Sequence, residues 1–377
     1  MPKSSNVDSP RRSLVLVISS LGGGGAERQM SDMANYWAAK GWKVVLATWS
    51  GPAVIDFYPL DTRVSRVFLA EPTESASGGI SRIHVNLDRA LRLRRLLKSM
   101  EPHAVISFMT ESNLLTILAG IGLKLRVIVS ERVQPAMHSA FPWTWRTLRR
   151  VLYASADAVV AQTGDAARWL ERHCHARVVV IPNALRALPE PCEAREALIV
   201  AVGRLTRQKG FDVLLHAFAQ IAPNFKDWRL AIIGEGVERR SLADLTEKLL
   251  LAARVTFVGQ TSEVVAWMSK AGLVVQPSRF EGFPNVVLES MGLGAAVISS
   301  NCASGPADLI EDGVNGRLVA VDDVESLAHV MAQLMSSPKE RARLGRAAMA
   351  VRERFRQDAV MERWETCLVP SGTGEPK

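Results

Sequence analysis

Two glutamates, Glu281 and Glu289, stand eight residues apart in the stretch Ser278-Arg279-Phe280-Glu281-Gly282-Phe283-Pro284-Asn285-Val286-Val287-Leu288-Glu289. A strand is expected to end near Pro277, which leaves Glu281 in a Gly/Pro loop and Glu289 on a helix that starts around Asn285. A carboxylate one turn inside a packed helix is poorly solvated, yet it accepts two hydrogen bonds from a vicinal diol such as ribose. Glu281, freer in its loop, would meet sugar hydroxyls or stabilise positive charge at an anomeric carbon. Without that loop, the same pair would read equally well as a cap or a salt bridge.

Two further segments suit anions. In Gly203-Arg204-Leu205-Thr206-Arg207-Gln208-Lys209-Gly210, Arg204 and Lys209 flank a short loop between a strand and a helix. The positive end of the helix adds to them, a combination fit to grip a diphosphate. Near the N-terminus, Gly22-Gly23-Gly24-Gly25 separates another strand from a helix and lets backbone amides approach an anion closely. A nicotinamide-binding fingerprint is the obvious rival there. It fails because the third glycine is missing, and Thr48-Trp49-Ser50 stands where a ribose-binding carboxylate is needed.

These residues need a scaffold, and the hydrophobic pattern supplies one. Short β-branched runs (Leu14–Ser20, Lys43–Trp49, Val64–Leu69, Ala104–Met109, Arg126–Ser130, Ala158–Gln162, Val178–Ile181) alternate with helical stretches such as Ala26–Lys40, Arg82–Met100 and Ala166–Cys174. Alternation of this kind predicts parallel sheets covered by helices. Pro182-Asn183-Ala184, Pro189 and Pro191 interrupt it, and a second series follows: strands over Leu198–Val202, Arg229–Ile233, Val255–Val258, Leu273–Gln276 and Val297–Ser300, with helices over Phe211–Ala222 and Glu238–Leu251. The expectation is an α/β chain of two doubly wound Rossmann-like domains with a cleft between them and C-terminal helices. Its parts are a disordered tail (1–13), an N-terminal domain (14–188), a C-terminal domain (189–355) and a final helix and tail (356–377) able to return to the first domain. Ligands in such sheets sit beyond the carboxyl ends of the strands.

Composition narrows the function classes. The 377 residues are 48% hydrophobic and 22% charged, which excludes long disorder and repeat fibres. Cys174, Cys192, Cys302 and Cys367 form no CxxC pair, so neither a zinc site nor a disulfide framework is indicated, and a reducing cytoplasm fits best. No window reaches the ~18 apolar residues of a membrane span. Charge is one-sided: residues 1–188 carry 24 Lys and Arg against 14 Asp and Glu, whereas the remainder carries 22 against 24. An anionic partner for the first half follows. Arg82–Lys98 reads as a basic amphipathic helix, and Trp143, Trp145, Arg146, Arg149 and Arg150 combine aromatic rings with guanidinium groups as lipid headgroup boundaries require.

Taken together, Glu281 and Glu289 in their loop and helix, Gly25-Ala26-Glu27-Arg28, the Gly203–Gly210 segment and Ile233-Gly234-Glu235-Gly236 resemble the large retaining family of GT-B glycosyltransferases (family 4, glycosyltransferase group 1), in the right order over residues 14–365. The segments Arg279–Asn285 and Asn301-Cys302-Ala303-Ser304-Gly305-Pro306 are further similar to members that extend lipid-pyrophosphate-linked oligosaccharides with galactose- or N-acetylgalactosamine-type sugars. The resemblance implies a metal-independent hexosyltransferase without cofactor. Arg204 and Lys209 would bind the donor diphosphate, Glu289 the ribose and Glu281 the donor sugar. Gly23, Gly24, Gly25, Gly282, Phe283, Asn285 and Val286 would complete the substrate site.

The implied partners are a UDP-sugar, a polyprenyl-diphosphate-linked saccharide and the anionic inner face of the cell membrane, with no nucleic acid. Many members place a His after the strand matching Arg126–Ser130; this chain has Glu131-Arg132 there, and His138 is the nearest candidate. The competing readings are a two-carboxylate glycosidase, against which the cationic pair argues, and an anion- or nucleic-acid-binding protein without activity, for which no recognised motif appears.

Overall fold

The computed structural model describes residues 12–69, 79–133, 143–192 and 194–369. Seven parallel strands carry the first series: β1 (Ser13–Ile18), β2 (Lys43–Thr48), β3 (Ser65–Phe68), β4 (Ala104–Phe108), β5 (Arg126–Ser130), β6 (Ala158–Ala161) and β7 (Val178–Val180). Their order is β3-β2-β1-β4-β5-β6-β7. The central strands β1 and β4 are buried throughout, as parallel strands covered on both faces must be. The second series contributes β8 (Glu196–Val202), β9 (Arg229–Ile233), β10 (Val255–Gly259), β11 (Ala271–Gln276), β12 (Val297–Ser300) and β13 (Arg317–Val319), in the order β10-β9-β8-β11-β12-β13. The strand order reverses between β1 and β4 in one sheet and between β8 and β11 in the other. Those are the switch points where doubly wound sheets leave a crevice for ligands.

The chain divides into two compact units, residues 1–162, 166–181 and 361–377 forming one, and residues 163–165 and 182–360 the other. The first unit is left after Ile181, earlier than a cut near 188. Leu185 explains the difference, because its amide donates to Phe355 O and its side chain is buried in the second unit's core. At the far end, Trp364 is fully buried against Phe108 of the first unit, with ring centroids 6.0 Å apart. Lys40 Nζ lies 2.8 Å from Glu365 beside it, so the last helix supplies core to a sheet more than two hundred residues upstream.

Differences from the expected elements are local. The C-terminal helices are four, Val324–Ser336, Pro338–Ala348, Val351–Arg354 and Gln357–Leu368, among the described residues. Ser337 caps the second of these by accepting from the Glu340 amide. The strand β13 was not expected. Three residues are too few to display a period. No helix among the described residues is long and apolar enough to cross a membrane.

Candidate functional site

The loops that follow β8 and β11, the two strands flanking the second switch point, hold most of the chemistry-bearing residues. The backbone permits this only through glycine. Gly210 has φ +65, and a Cβ there would lie 2.1 Å from Pro277 O; Gly234 has φ +136, with a Cβ position 2.0 Å from Gly203 O. Both demand a residue without a side chain. Gly203 N–H donates to Ile233 O and Leu205 N–H to Glu235 O, so the Arg204 loop is hydrogen-bonded along the Ile233–Gly236 segment.

Within this frame, Lys209 Nζ stands 2.6 Å from Glu281 Oε1. Glu281 is only 5% exposed and also accepts from Ser278 Oγ at 2.7 Å and Gln276 Nε2 at 3.0 Å. It is therefore not the freer carboxylate expected from its loop position; burial is possible because three donors satisfy it. Glu289, also 5% exposed, lies on the helix Asn285–Gly292, with Arg186 Nε 4.0 Å from its Oε1. Arg204 differs from both. Its side chain is exposed and makes no hydrogen bond or ion pair with the described residues.

Asn285 Oδ1 accepts from Asn183 Nδ2 at 2.7 Å. Gly282 and Val286 are partly exposed beside it, but Phe283 packs in the core, its ring centroid 6.1 Å from that of Phe355. The Phe283 side chain therefore holds the loop down instead of facing a ligand. Cys302, on the loop after β12, has its thiol pushed up to about 12 by burial and then by the charge of Glu281, which keeps it protonated.

In the first unit, Gly24 precedes the helix Gly25–Ala39 in extended conformation. Neither Gly22 nor Gly23, Gly24 nor Gly25 adopts a left-handed φ, so small size, not backbone freedom, distinguishes this turn. The helix Trp143–Leu152 is amphipathic: Trp143 (75% exposed), Arg146, Thr147, Arg150 and Val151 form its outer face. Arg149 does not belong to that face. It is 3% exposed, 3.6 Å from Glu131 Oε1 and stacked 4.6 Å from the Trp169 ring centroid, while Trp145 packs on the first core. Both were expected at a lipid boundary, but their positions in the helical repeat turn them inward.

Glu131, where a family member's histidine would follow β5, is engaged by Tyr153 Oη at 2.6 Å and by Thr110 Oγ1 at 2.9 Å. Asn113 Nδ2 donates to Tyr153 Oη at 3.0 Å and thereby extends the network. Sequence reading missed Tyr153, Thr110 and Asn113, because each is an unremarkable residue until strand order brings it to Glu131. His138 lies outside the described residues. Among the described residues no group of three or more His, Cys, Asp and Glu is arranged to hold a metal ion.

Comparison with known proteins agrees with this architecture. Residues 24–184 match the family described as glycosyl transferase 4-like domain, and residues 190–351 match glycosyl transferases group 1. A Campylobacter jejuni protein is 29% identical over 353 residues, 92% of this chain and 96% of its own length. Its name is GalNAc-α-(1→4)-GalNAc-α-(1→3)-diNAcBac-PP-undecaprenol α-1,4-N-acetyl-D-galactosaminyltransferase. Among solved structures, sucrose-phosphate synthase from Thermosynechococcus elongatus superposes with a TM-score of 0.83 at 20% identity, covering 94% of this chain and 98% of its own. Anabaena HepE in complex with UDP gives 0.78 at 18%, covering 94% and 99%. With a 4-like N-terminal half and a group 1 C-terminal half, each built on a doubly wound parallel sheet, the chain belongs to the GT-B glycosyltransferases.

Proposed function

We propose that the protein transfers a hexose or N-acetylhexosamine of galactose or N-acetylgalactosamine type from a UDP-sugar to a lipid-diphosphate-linked saccharide, with retention of configuration, during bacterial surface glycan assembly. The observation that carries this reading is the grouping of exposed Arg204, the Lys209–Glu281 pair and buried Glu289 on the segments that follow β8 and β11. Arg204 and Lys209 supply positive charge where a departing diphosphate would develop negative charge. Glu289 has carboxylate oxygens suited to a ribose diol, and Glu281 offers its second oxygen to the sugar while Lys209, Ser278 and Gln276 hold the first. The Campylobacter relative, whose name describes a lipid-diphosphate acceptor, supports the acceptor class, and the HepE complex with UDP supports the nucleotide.

The acceptor side belongs to the basic first half. The outer face of Trp143–Leu152 combines Trp143 and Val151 with Arg146 and Arg150. The helix Gly79–Met100 exposes Leu87 and Leu91 in line with Arg95 and Lys98. Such faces suit peripheral attachment to an anionic membrane surface, here the cytoplasmic one. The deciding experiment is turnover across a panel of nucleotide-sugars with an undecaprenyl-diphosphate-linked saccharide acceptor, followed by NMR assignment of the new anomeric centre. Transfer from a UDP-hexose or UDP-N-acetylhexosamine with an α product supports the reading. Transfer only from GDP-sugars, or none from any donor, removes it.

A further inference from the structure

Arg279 sits two residues before Glu281, and its guanidinium reaches three separate segments. Nη1 and Nη2 donate to the two carboxylate oxygens of Asp212 at 3.0 and 2.7 Å, a bidentate fork onto the first turn of the helix Phe211–Ile221. Nε lies 2.8 Å from Asp322, on the loop after β13, and Nη1 also donates to Arg207 O at 2.7 Å. The adjoining backbone completes a seam: Arg279 N–H donates to Gln208 O at 2.8 Å, and Gln208 Nε2 returns a bond to Phe280 O at 2.9 Å. Residues 207 and 208 are thereby stitched to residues 279 and 280. The next residue on each side of the seam belongs to the ion pair, Lys209 on one side and Glu281 on the other.

We infer that Arg279 is a positioning residue for the donor site, clamping the Lys209 loop to the Glu281 loop through Asp212 and the Arg207 carbonyl. The inference rests on the donor reading given above for Lys209. Arginine suits the task better than lysine, because its planar fork holds two carboxylate oxygens and a carbonyl in fixed geometry, whereas an ammonium engages them only as a point charge. Asp212 remains charged in this arrangement. Burial alone would raise its carboxyl, but the hydrogen bonds and charge of Arg279 outweigh it and hold it below the ordinary carboxylate range.

A clamp and a plain stability device differ in what they change. Ion pairs to partly exposed carboxylates contribute little to global stability, so losing this one should move Tm by only about 3 °C. The test is calorimetric titration of UDP into the full-length protein and its R279A, R279K, D212N and K209A variants, with Tm measured on each. The clamp predicts a UDP Kd raised about tenfold in R279A, a smaller rise in D212N, and partial recovery in R279K, with Tm nearly constant. An R279A variant that binds UDP like the wild type, while K209A does not, overturns the clamp and leaves the donor reading standing. A K209A variant that binds UDP normally overturns the donor reading and the clamp with it. Loss of UDP binding in R279A and R279K in proportion to a large fall in Tm also overturns the clamp, since it marks a merely structural residue.

Discussion

Lys209 Nζ lies 2.6 Å from Glu281 Oε1 although 72 residues separate them in the chain. The pair joins the loop after β8 to the loop after β11, and the β8 loop also carries Arg204, whose side chain is exposed. The cation proposed to meet the diphosphate is thus fixed in place by the carboxylate proposed to meet the sugar.

Replacing Lys209 with Ala leaves Glu281 buried with only neutral donors. We expect the domain to lose about 3 kcal/mol in denaturant melts. Turnover of the active UDP-sugar should fall at least about a hundredfold, and Arg204→Ala should cause a similar fall in turnover with almost no change in stability, because Arg204 is exposed. Near-normal turnover in both variants would sink their assignment to the diphosphate.

Glycine substitutions separate backbone strain from collision. Gly313→Ala, at φ +74 with no atom within 4 Å of the new Cβ, should cost about 1–2 kcal/mol from conformation alone. Gly210→Ala adds a clash with Pro277 O at 2.1 Å and should cost more, together with UDP affinity, since Gly210 follows Lys209. Equal losses in the two variants, read by chemical denaturation, would show that the contact with Pro277 is not what demands glycine.

Tyr153 provides a pH prediction. Burial first, and then the charge of Glu131, hold its phenol well above the ordinary value. A raised native value means that the folded protein keeps its proton after the unfolded chain has lost it. The stability contributed by this group is complete below about pH 10 and declines as pH rises beyond it. Absorbance titration at 295 nm should find Tyr153 silent near pH 10 until unfolding, and Tyr153→Phe should lose about 1–3 kcal/mol at pH 7 because Glu131 forfeits its shortest donor. Three tyrosines that all titrate near pH 10 in the native protein would contradict this account.

The outer face of Trp143–Leu152 predicts salt-sensitive membrane binding. Flotation with vesicles containing about 30% anionic lipid should recover the wild type at low salt and much less of it at 0.5 M NaCl, where the Debye length falls to about 4 Å. The triple variant W143S/R146S/R150S should lose most of this binding while keeping its Tm. Arg149→Ala should do the reverse, destabilising the first unit through its buried partner Glu131 while leaving vesicle binding intact. Equal flotation of the wild type and the triple variant would remove this helix from the membrane contact.

The sequence by itself determined the two series of parallel strands, because runs such as Leu14–Ile18 and Leu273–Val275 are apolar on both faces and can be stable only between layers of helices. It also marked the side chains proposed to carry chemistry. Arg204, Lys209, Glu281 and Glu289 stand out by type, spacing and the glycines around them, and two glycines of these loops, Gly210 and Gly234, sit where a Cβ would strike backbone. Tertiary structure decided the partners. Strand order puts β8 beside β11, and only then do Lys209 and Glu281, or Arg279 and Asp212, become neighbours; hydrophobic periodicity carries no information on order. The same holds for Arg149, whose composition-based likeness to Arg146 and Arg150 is undone by its place in the helical turn and by Glu131 at the end of β5. Local pattern reports what a residue is and which face it shares, whereas its charge environment is set by segments far away in the chain that packing alone brings into contact.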